Sequence, residues 1–230
     1  MDFTTFLLLF VANLAFAQPD YGRLDALLAN HVTATGKVNY KTLKTTSRAE
    51  LDAVVADFTA RPIEKNSTKN EQLAYWINIY NVFTIKLLTD NYPISSITKL
   101  DKGKPWDVKR IKIGAQVYSL NQIENEIIRP TFKDARVHFA LNCGAKSCPP
   151  LWNKAFMASN VMEILEERTK KFVQSKSNQI TKNSLKISKI FDWYKADFGD
   201  APQFLSKYSG QKIEKNAKIE YQDYDWSLNE

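Results

Sequence analysis

The stretch from Glu71 to Asn91, EQLAYWINIYNVFTIKLLTDN, constrains this chain most. At about 100° per residue, Leu73, Trp76, Ile77, Tyr80, Thr84, Leu87 and Leu88 share one side of a helix, matching the i, i+3, i+4, i+7 template. The other side holds Ala74, Val82 and Ile85, with Lys86 as its only charge before the last turn. A helix apolar nearly all round belongs inside a protein, so the rest of the chain must wrap it. Asn78 and Asn81 interrupt this cylinder one turn apart and point roughly the same way. A buried amide left unpaired costs about 1 to 3 kcal/mol, so each needs hydrogen-bond partners. Two roles meet that need: tying neighbouring loops to the helix, or facing a cleft where they position a substrate or a catalytic side chain.

With 230 residues, 44% of them hydrophobic, one core of useful size can form. Seven Gly and eight Pro, without repeats or low-complexity tracts, argue for a single globular domain over residues 18–230. Residues 1–17 differ. Phe3 to Ala17 is an apolar run ending in Ala15-Phe16-Ala17, a small-x-small cleavage pattern, although its n-region carries Asp2 and no Lys or Arg. It is shorter than the roughly 20 residues a bilayer span needs. The expectation is a signal peptide cut near Ala17 and export to a periplasmic or extracellular space, with no transmembrane segment. Losing residues 1–17 removes one acid and no base, raising the net charge from +7 to +8. No nucleic-acid motif accompanies that charge, and a weak affinity for anionic envelope components is the partner it allows. No cofactor signature is present.

The flanking segments read as mixed structure. Asp20 to His31 predicts a helix with Leu24, Leu27 and Leu28 inward and His31 at the surface. Ser47 to Glu50 is a capping box opening a helix to about Ala60, and Thr68 to Glu71 opens the central one. Val108 to Ile113 and Gln116 to Leu120 predict a hairpin, and Ser119 caps a helix ending at Pro130, with Glu124 and Ile128 as i, i+4 neighbours. Arg136 to Asn142 alternates apolar and polar as a strand does. A helix over Ser159 to Val173, a hairpin around Asn183-Ser184, helix up to about Lys218 and a strand over Ile219 to Trp226 complete the chain. Without regular βαβ alternation the class is α+β: one compact domain, a buried central helix and a small, mostly antiparallel sheet.

Chemistry gathers in Arg136 to Leu151, RVHFALNCGAKSCPPL, which brings together His138, Cys143, Ser147 and Cys148. Three readings stand side by side. Cys143 and Cys148 form a disulfide or remain inert thiols. One cysteine is a nucleophile activated by His138, with Glu124, Asn78 or Asn81 orienting the imidazole. The third is a redox pair, although its spacing departs from Cys-x-x-Cys. A continued strand would hold His138 and Cys143 about 16 Å apart, so the second reading requires a fold back after Leu141. If catalytic, the chemistry is thiol-dependent hydrolysis or acyl transfer, with Cys143 as nucleophile, His138 as base, Glu124 or Asn81 as orienting group and loop amides as oxyanion donors. Asn78, Asn81, Ser147 and Cys148 then line the cleft. The alternative is a non-catalytic extracytoplasmic binding module rigidified by a Cys143–Cys148 disulfide, with aromatic contacts from Phe191 to Phe198 and Tyr221 to Trp226. The donor spacing of a metal site is absent.

In order, AYWINIYNVFTI, YPISSI, SLNQIENEIIR, HFALNCGAKSCPPL, SKIFDWYKADF and DYDWSLN resemble segments of the domain-of-unknown-function 547 family, from about Tyr21 to Asn229. The resemblance implies no settled activity. It marks Asn78, Tyr80, Asn81, Ser119, Glu124, Arg129, His138, Cys143, Ser147, Cys148 and Pro149 as family-pattern positions, with Asp192, Trp193, Asp197, Asp225 and Trp226 nearer the C-terminus.

Overall fold

Helix α4, Lys69–Asn91, is the axis of the computed structural model, which describes residues 18–230. The leader and cleavage site expected in residues 1–17 lie outside the described residues. The Thr68 hydroxyl accepts the Glu71 N–H while the Thr68 N–H donates to the Glu71 carboxylate at 2.7 Å, so the capping box fixes where α4 begins. Fifteen of its 23 residues are buried, on every side. Lys86 escapes the apolar surroundings by pairing with Asp52 at 3.1 Å and Asp90 at 2.6 Å.

Helices α1 (Tyr21–His31), α2 (Tyr40–Thr45) and α3 (Arg48–Ala60) cover one flank of α4. Leu24, Leu27 and Leu28 point inward as their spacing requires. Two expectations fail here. Ser47 precedes α3 but makes no side-chain cap bond. His31 is buried, because the chain doubles back through a Val32–Val38 bridge and Asn39 N–H bonds the His31 carbonyl.

On the other flank, β1 (Ile111–Ile113) and β2 (Gln116–Tyr118) form the expected hairpin. Ser119 and Gln122 cap each other at the start of α5 (Leu120–Gln122). The helix does not stop at Pro130: a π-helical stretch, Ile123–Ile128, leads into α6 (Arg129–Phe132). The largest departure is Arg136 to Asn142. In place of a strand, Ala135–Phe139 forms a 3₁₀ turn capped by Asp134, and every residue from Val137 to Asn142 is buried. The cause is its position between two cores. Val137, Ala140 and Leu141 pack with α4, whereas Phe139 joins a second cluster with Phe172, Phe191, Phe198 and Leu205. A segment covered on all sides gains nothing from a two-faced pleat, so its alternating sequence has no structural meaning here.

Helix α7 (Val161–Val173) spans both cores; its Arg168 is buried without a carboxylate and donates to the carbonyls of Phe139, at 3.2 Å, and Pro150. β3 (Gln179–Ile180) and β4 (Ser184–Ile187) form the second predicted hairpin, and β5 (Lys218–Tyr221) joins β4 in parallel. The parallel pair follows from the long crossover between them, which carries α8 (Ile190–Trp193), α9 (Lys195–Phe198) and α10 (Ala201–Ser209). α10 ends at Gly210 in the left-handed region, short of Lys218. The result is an α+β domain with one two-stranded antiparallel and one three-stranded mixed sheet. No helix among the described residues is long and apolar enough to cross a membrane.

Candidate functional site

The seam between the two cores opens into a cavity of about 290 Å³. Glu124, His138, Cys143 and Cys148 all line it, Glu124 from the π-helical stretch, His138 from the 3₁₀ turn and both cysteines from the loop that follows it. Tyr80 enters from α4, Trp193 and Tyr194 from the end of α8, Trp226 from the C-terminal segment, and Trp106, Asn121 and Asn125 from the chain around the first hairpin. His138 sits in the turn Ala135–Phe139 and not in an extended strand, which shortens its path to Cys143, and both line one cavity.

The π-helix aims its acid. Arg129 N–H bonds the Glu124 carbonyl, an i to i+5 link that stacks residues five apart. Glu124 is therefore paired in register with Arg129, not with Ile128 as α-helical counting gives. Arg129 grips Asp197 with two bonds, at 2.6 and 2.9 Å, and Asp197 in turn contacts His138 Nε2 at 2.7 Å. Glu124 Oε1 lies 3.8 Å from His138 Nδ1. The His138 ring, only 4% exposed, stacks on Tyr194 at 3.8 Å between centroids. Burial lowers the His138 pKa against the opposing pull of Glu124 and Asp197, so the ring is neutral near pH 7. The guanidinium of Arg129 chiefly holds the Asp197 carboxyl below its ordinary value. An ionised Asp197 needs a donor, which puts the single ring hydrogen on Nε2 and leaves Nδ1 as an acceptor towards Glu124.

Both sulfurs are free thiols. Cys143, half-buried, faces the cavity, and Cys148 lies beneath it, its sulfur accepting the Cys143 N–H at 3.0 Å. The neighbouring Cys148 thiol lowers the Cys143 pKa; burial opposes this, and the Tyr224 hydroxyl, 3.3 Å from the sulfur, and the Ala145 N–H lower it further. Burial pushes the Cys148 thiol up. Cys143 is thus the more acidic of two adjacent thiols. His138 is not its partner, since both ring nitrogens face carboxylates.

Other expected site residues lie elsewhere. Asn78 clamps one peptide unit, donating to the Phe156 carbonyl at 2.7 Å and accepting its N–H at 3.0 Å. Asn81 donates to the Ala140 carbonyl and accepts the Asn142 N–H, both at 2.9 Å. Neither lines the cavity: they are ties between loops and α4. Ser147 accepts the Asp225 N–H at 2.8 Å and is likewise outside. The loop amides expected as oxyanion donors are already used: Cys143 on Cys148, Gly144 on Asn142, Lys146 on Ser227 and Ser147 on Asp225. Asn142, given no side-chain role by the sequence, also donates to the Pro149 carbonyl at 2.8 Å and so closes the loop. Among the described residues no three His, Cys, Asp or Glu side chains gather as a metal ion would require.

What residue-by-residue reasoning missed most is the wall. Trp106, Trp226, Trp193 and Tyr224 form a continuous aromatic face, with Trp193 and Trp226 nearly parallel, 5.7 Å between centroids and 26° between planes. Trp193 is 45% exposed, far more than packing alone accounts for. The family resemblance had marked Trp193 and Trp226; nothing in local sequence connects them with Trp106.

These features define an α+β domain with a thiol- and carboxylate-bearing cavity. Residues 64–173, just under half of the chain, match the model of the family described as "Protein of unknown function, DUF547", and over this segment the chain resembles that family. The matched span holds α4, Glu124, His138 and both cysteines but stops short of the segments carrying Trp193, Asp197 and Trp226. The resemblance thus extends less far than the Tyr21 to Asn229 expected. No curated protein and no solved structure matches the chain.

Proposed function

We propose that the cavity is the active site of a thiol-dependent hydrolase or acyl transferase acting on a small substrate. The observation that carries this is the convergence of Cys143, Glu124 and His138 on one cavity, with the Cys143 sulfur held by Tyr224 and the Ala145 amide in the way a thiolate requires. Cys143 is the nucleophile and attacks the acyl carbon. A thiol of lowered pKa needs no adjacent imidazole, so His138 serves as a positioning residue, fixed by Asp197 and supporting by its stacking the Tyr194 ring whose hydroxyl holds Glu124. Glu124 accepts and returns the proton of the incoming or leaving group. Tyr80, whose pKa burial raises, keeps its hydroxyl protonated and supplies the oxyanion donor that the loop amides cannot, while the Tyr194 hydroxyl donates to Glu124 and holds it in place.

The test is acylation. Incubated with a small p-nitrophenyl ester or thioester, the protein should gain one acyl group by intact mass, located on Cys143 and absent in Cys143→Ser. Label confined to surface lysines would sink the proposal. Export belongs to the same proposal, supported by the composition of residues 3–17; N-terminal sequencing of secreted material should begin near Gln18. A second reading rests on the 3.0 Å approach of Cys143 N–H to the Cys148 sulfur: in an oxidising compartment the pair closes, and the domain is a binding module with a rigid loop. Exported protein that takes up no alkylating reagent before reduction would favour it.

A further inference from the structure

The chain carries a net charge of +7, yet no Lys or Arg lines the cavity. Its charged side chains are Glu124 and Asp107, and Asp107 already accepts from Asn121 at 3.0 Å. Arg129 could have neutralised Glu124 but is drawn to Asp197, and its guanidinium lies over the Tyr194 ring at 5.0 Å. Glu124 is left with a side chain 9% exposed, no Lys or Arg among the described residues within 4 Å, and the neutral His138 ring at 3.8 Å. The Glu124 carboxylate accepts from the Tyr194 hydroxyl and faces His138 Nδ1, an acceptor when the ring hydrogen is on Nε2, so it has a hydrogen-bond donor but no counter-cation. A nearly buried acid with no Lys or Arg beside it favours a cationic, donor-rich ligand in the cavity before it. The indole wall offers the same preference, because the face of Trp attracts cations by about 0.5 to 2 kcal/mol. Phosphate and carboxylate ligands, by contrast, find no counter-charge.

We propose that the cavity binds a primary alkylammonium group, which Glu124 and the Trp106–Trp226–Trp193 wall recognise and which serves as the acyl acceptor. The chemistry rests on the thiol function above. An activated acyl donor, a thioester or ester, first transfers its acyl group to Cys143 and releases its thiol or alcohol. Glu124 then takes a proton from the bound ammonium, and the freed amine nitrogen attacks the carbonyl carbon of the Cys143 thioester. The new C–N bond forms as the C–S bond breaks, and the second proton of the attacking nitrogen passes to the departing sulfur, leaving an amide, the Cys143 thiol and a protonated Glu124 that returns its proton to solvent.

The probe is n-hexylammonium, with n-hexanol as its uncharged counterpart, titrated into the Cys143→Ser protein and followed by tryptophan fluorescence. Hexylammonium should give a saturable change, weakened about tenfold or more in hexanol and in Glu124→Gln, with binding restored in part by Glu124→Asp. Circular dichroism establishes that each variant is folded. Equal response to hexanol, undiminished binding by Glu124→Gln, or no response at all would overturn the amine site. Failure of the thiol function is read separately by the acylation assay: acyl-Cys143 without amine binding removes only this proposal. With both in place, hexylamine should speed loss of the acyl group from wild-type Cys143 and appear in the product as an N-hexyl amide.

Discussion

Asp197 Oδ2 lies 2.7 Å from His138 Nε2 across 59 residues of sequence, and this contact decides what the imidazole can do. It commits one nitrogen to a carboxylate that Arg129 holds ionised and turns the other towards Glu124. His138 belongs to a chain of Arg129, Asp197, His138 and Glu124 that ends at the cavity, and the thiol is managed by Tyr224 and Cys148.

That arrangement sets a pH dependence. An unfolded His takes up its proton near pH 6.5, whereas buried His138 does so only at lower pH. Between those values the unfolded state binds more protons, so stability falls as pH drops below about 6.5. Asp197, held below its ordinary 3.8, adds a further loss in the same direction at more acid pH. Urea midpoints from pH 8 to 5 should decline for the wild type and decline less for His138→Gln. Identical slopes would show that burial of this ring is not the source.

Asn81→Ala should cost about 2 to 4 kcal/mol, because it strands a buried carbonyl at Ala140 and a buried N–H at Asn142. Asn78→Ala should cost a similar amount through Phe156. Denaturant unfolding measures both, and a loss under about 0.5 kcal/mol, as at ordinary surface sites, would contradict the clamp role.

Tyr224→Phe deletes the hydroxyl 3.3 Å from the Cys143 sulfur. The thiolate loses a donor, so the pH midpoint of Cys143 alkylation by iodoacetamide should move up. Cys148, buried beneath, should react only on unfolding. An unchanged midpoint would remove Tyr224 from the thiol's environment.

Gly144 has a φ of +80°, and a Cβ there would lie 2.2 Å from Leu88 Cδ1 on α4. Gly144→Ala should therefore destabilise by about 2 to 4 kcal/mol, from left-handed strain and from the clash. Adding Leu88→Ala relieves only the clash, so the two losses should combine to less than their sum in a double-mutant cycle.

Much of this was legible in the sequence where the signal was local. A 23-residue helix apolar on every side can only be buried, and a Thr-x-x-Glu box can only start it where it does, so α4 and its cap follow from sequence. The hairpins and the inward leucines of α1 follow from period and turn residues. The gathering of His138, Cys143 and Cys148 in one loop region marked the site. Glu124 entered it because its residue type suits acid and base work.

What only the tertiary structure decided is which partners those residues have. The alternation of Arg136 to Asn142 predicts a strand, but two cores pressing from opposite sides remove the exposed face a strand needs. Residues five apart at Glu124 and Arg129 align because the helix widens, which no α-helical count foresees. Asn78 and Asn81 suited a loop tie better than a cleft, and the nearness of the Phe156 and Ala140 peptides settled that choice. Trp106, Trp193 and Trp226 became one wall only when three distant segments met over the seam. Local sequence fixes periodicity and capping through neighbours on the chain, whereas a cavity is made by groups whose contact depends on every fold in between.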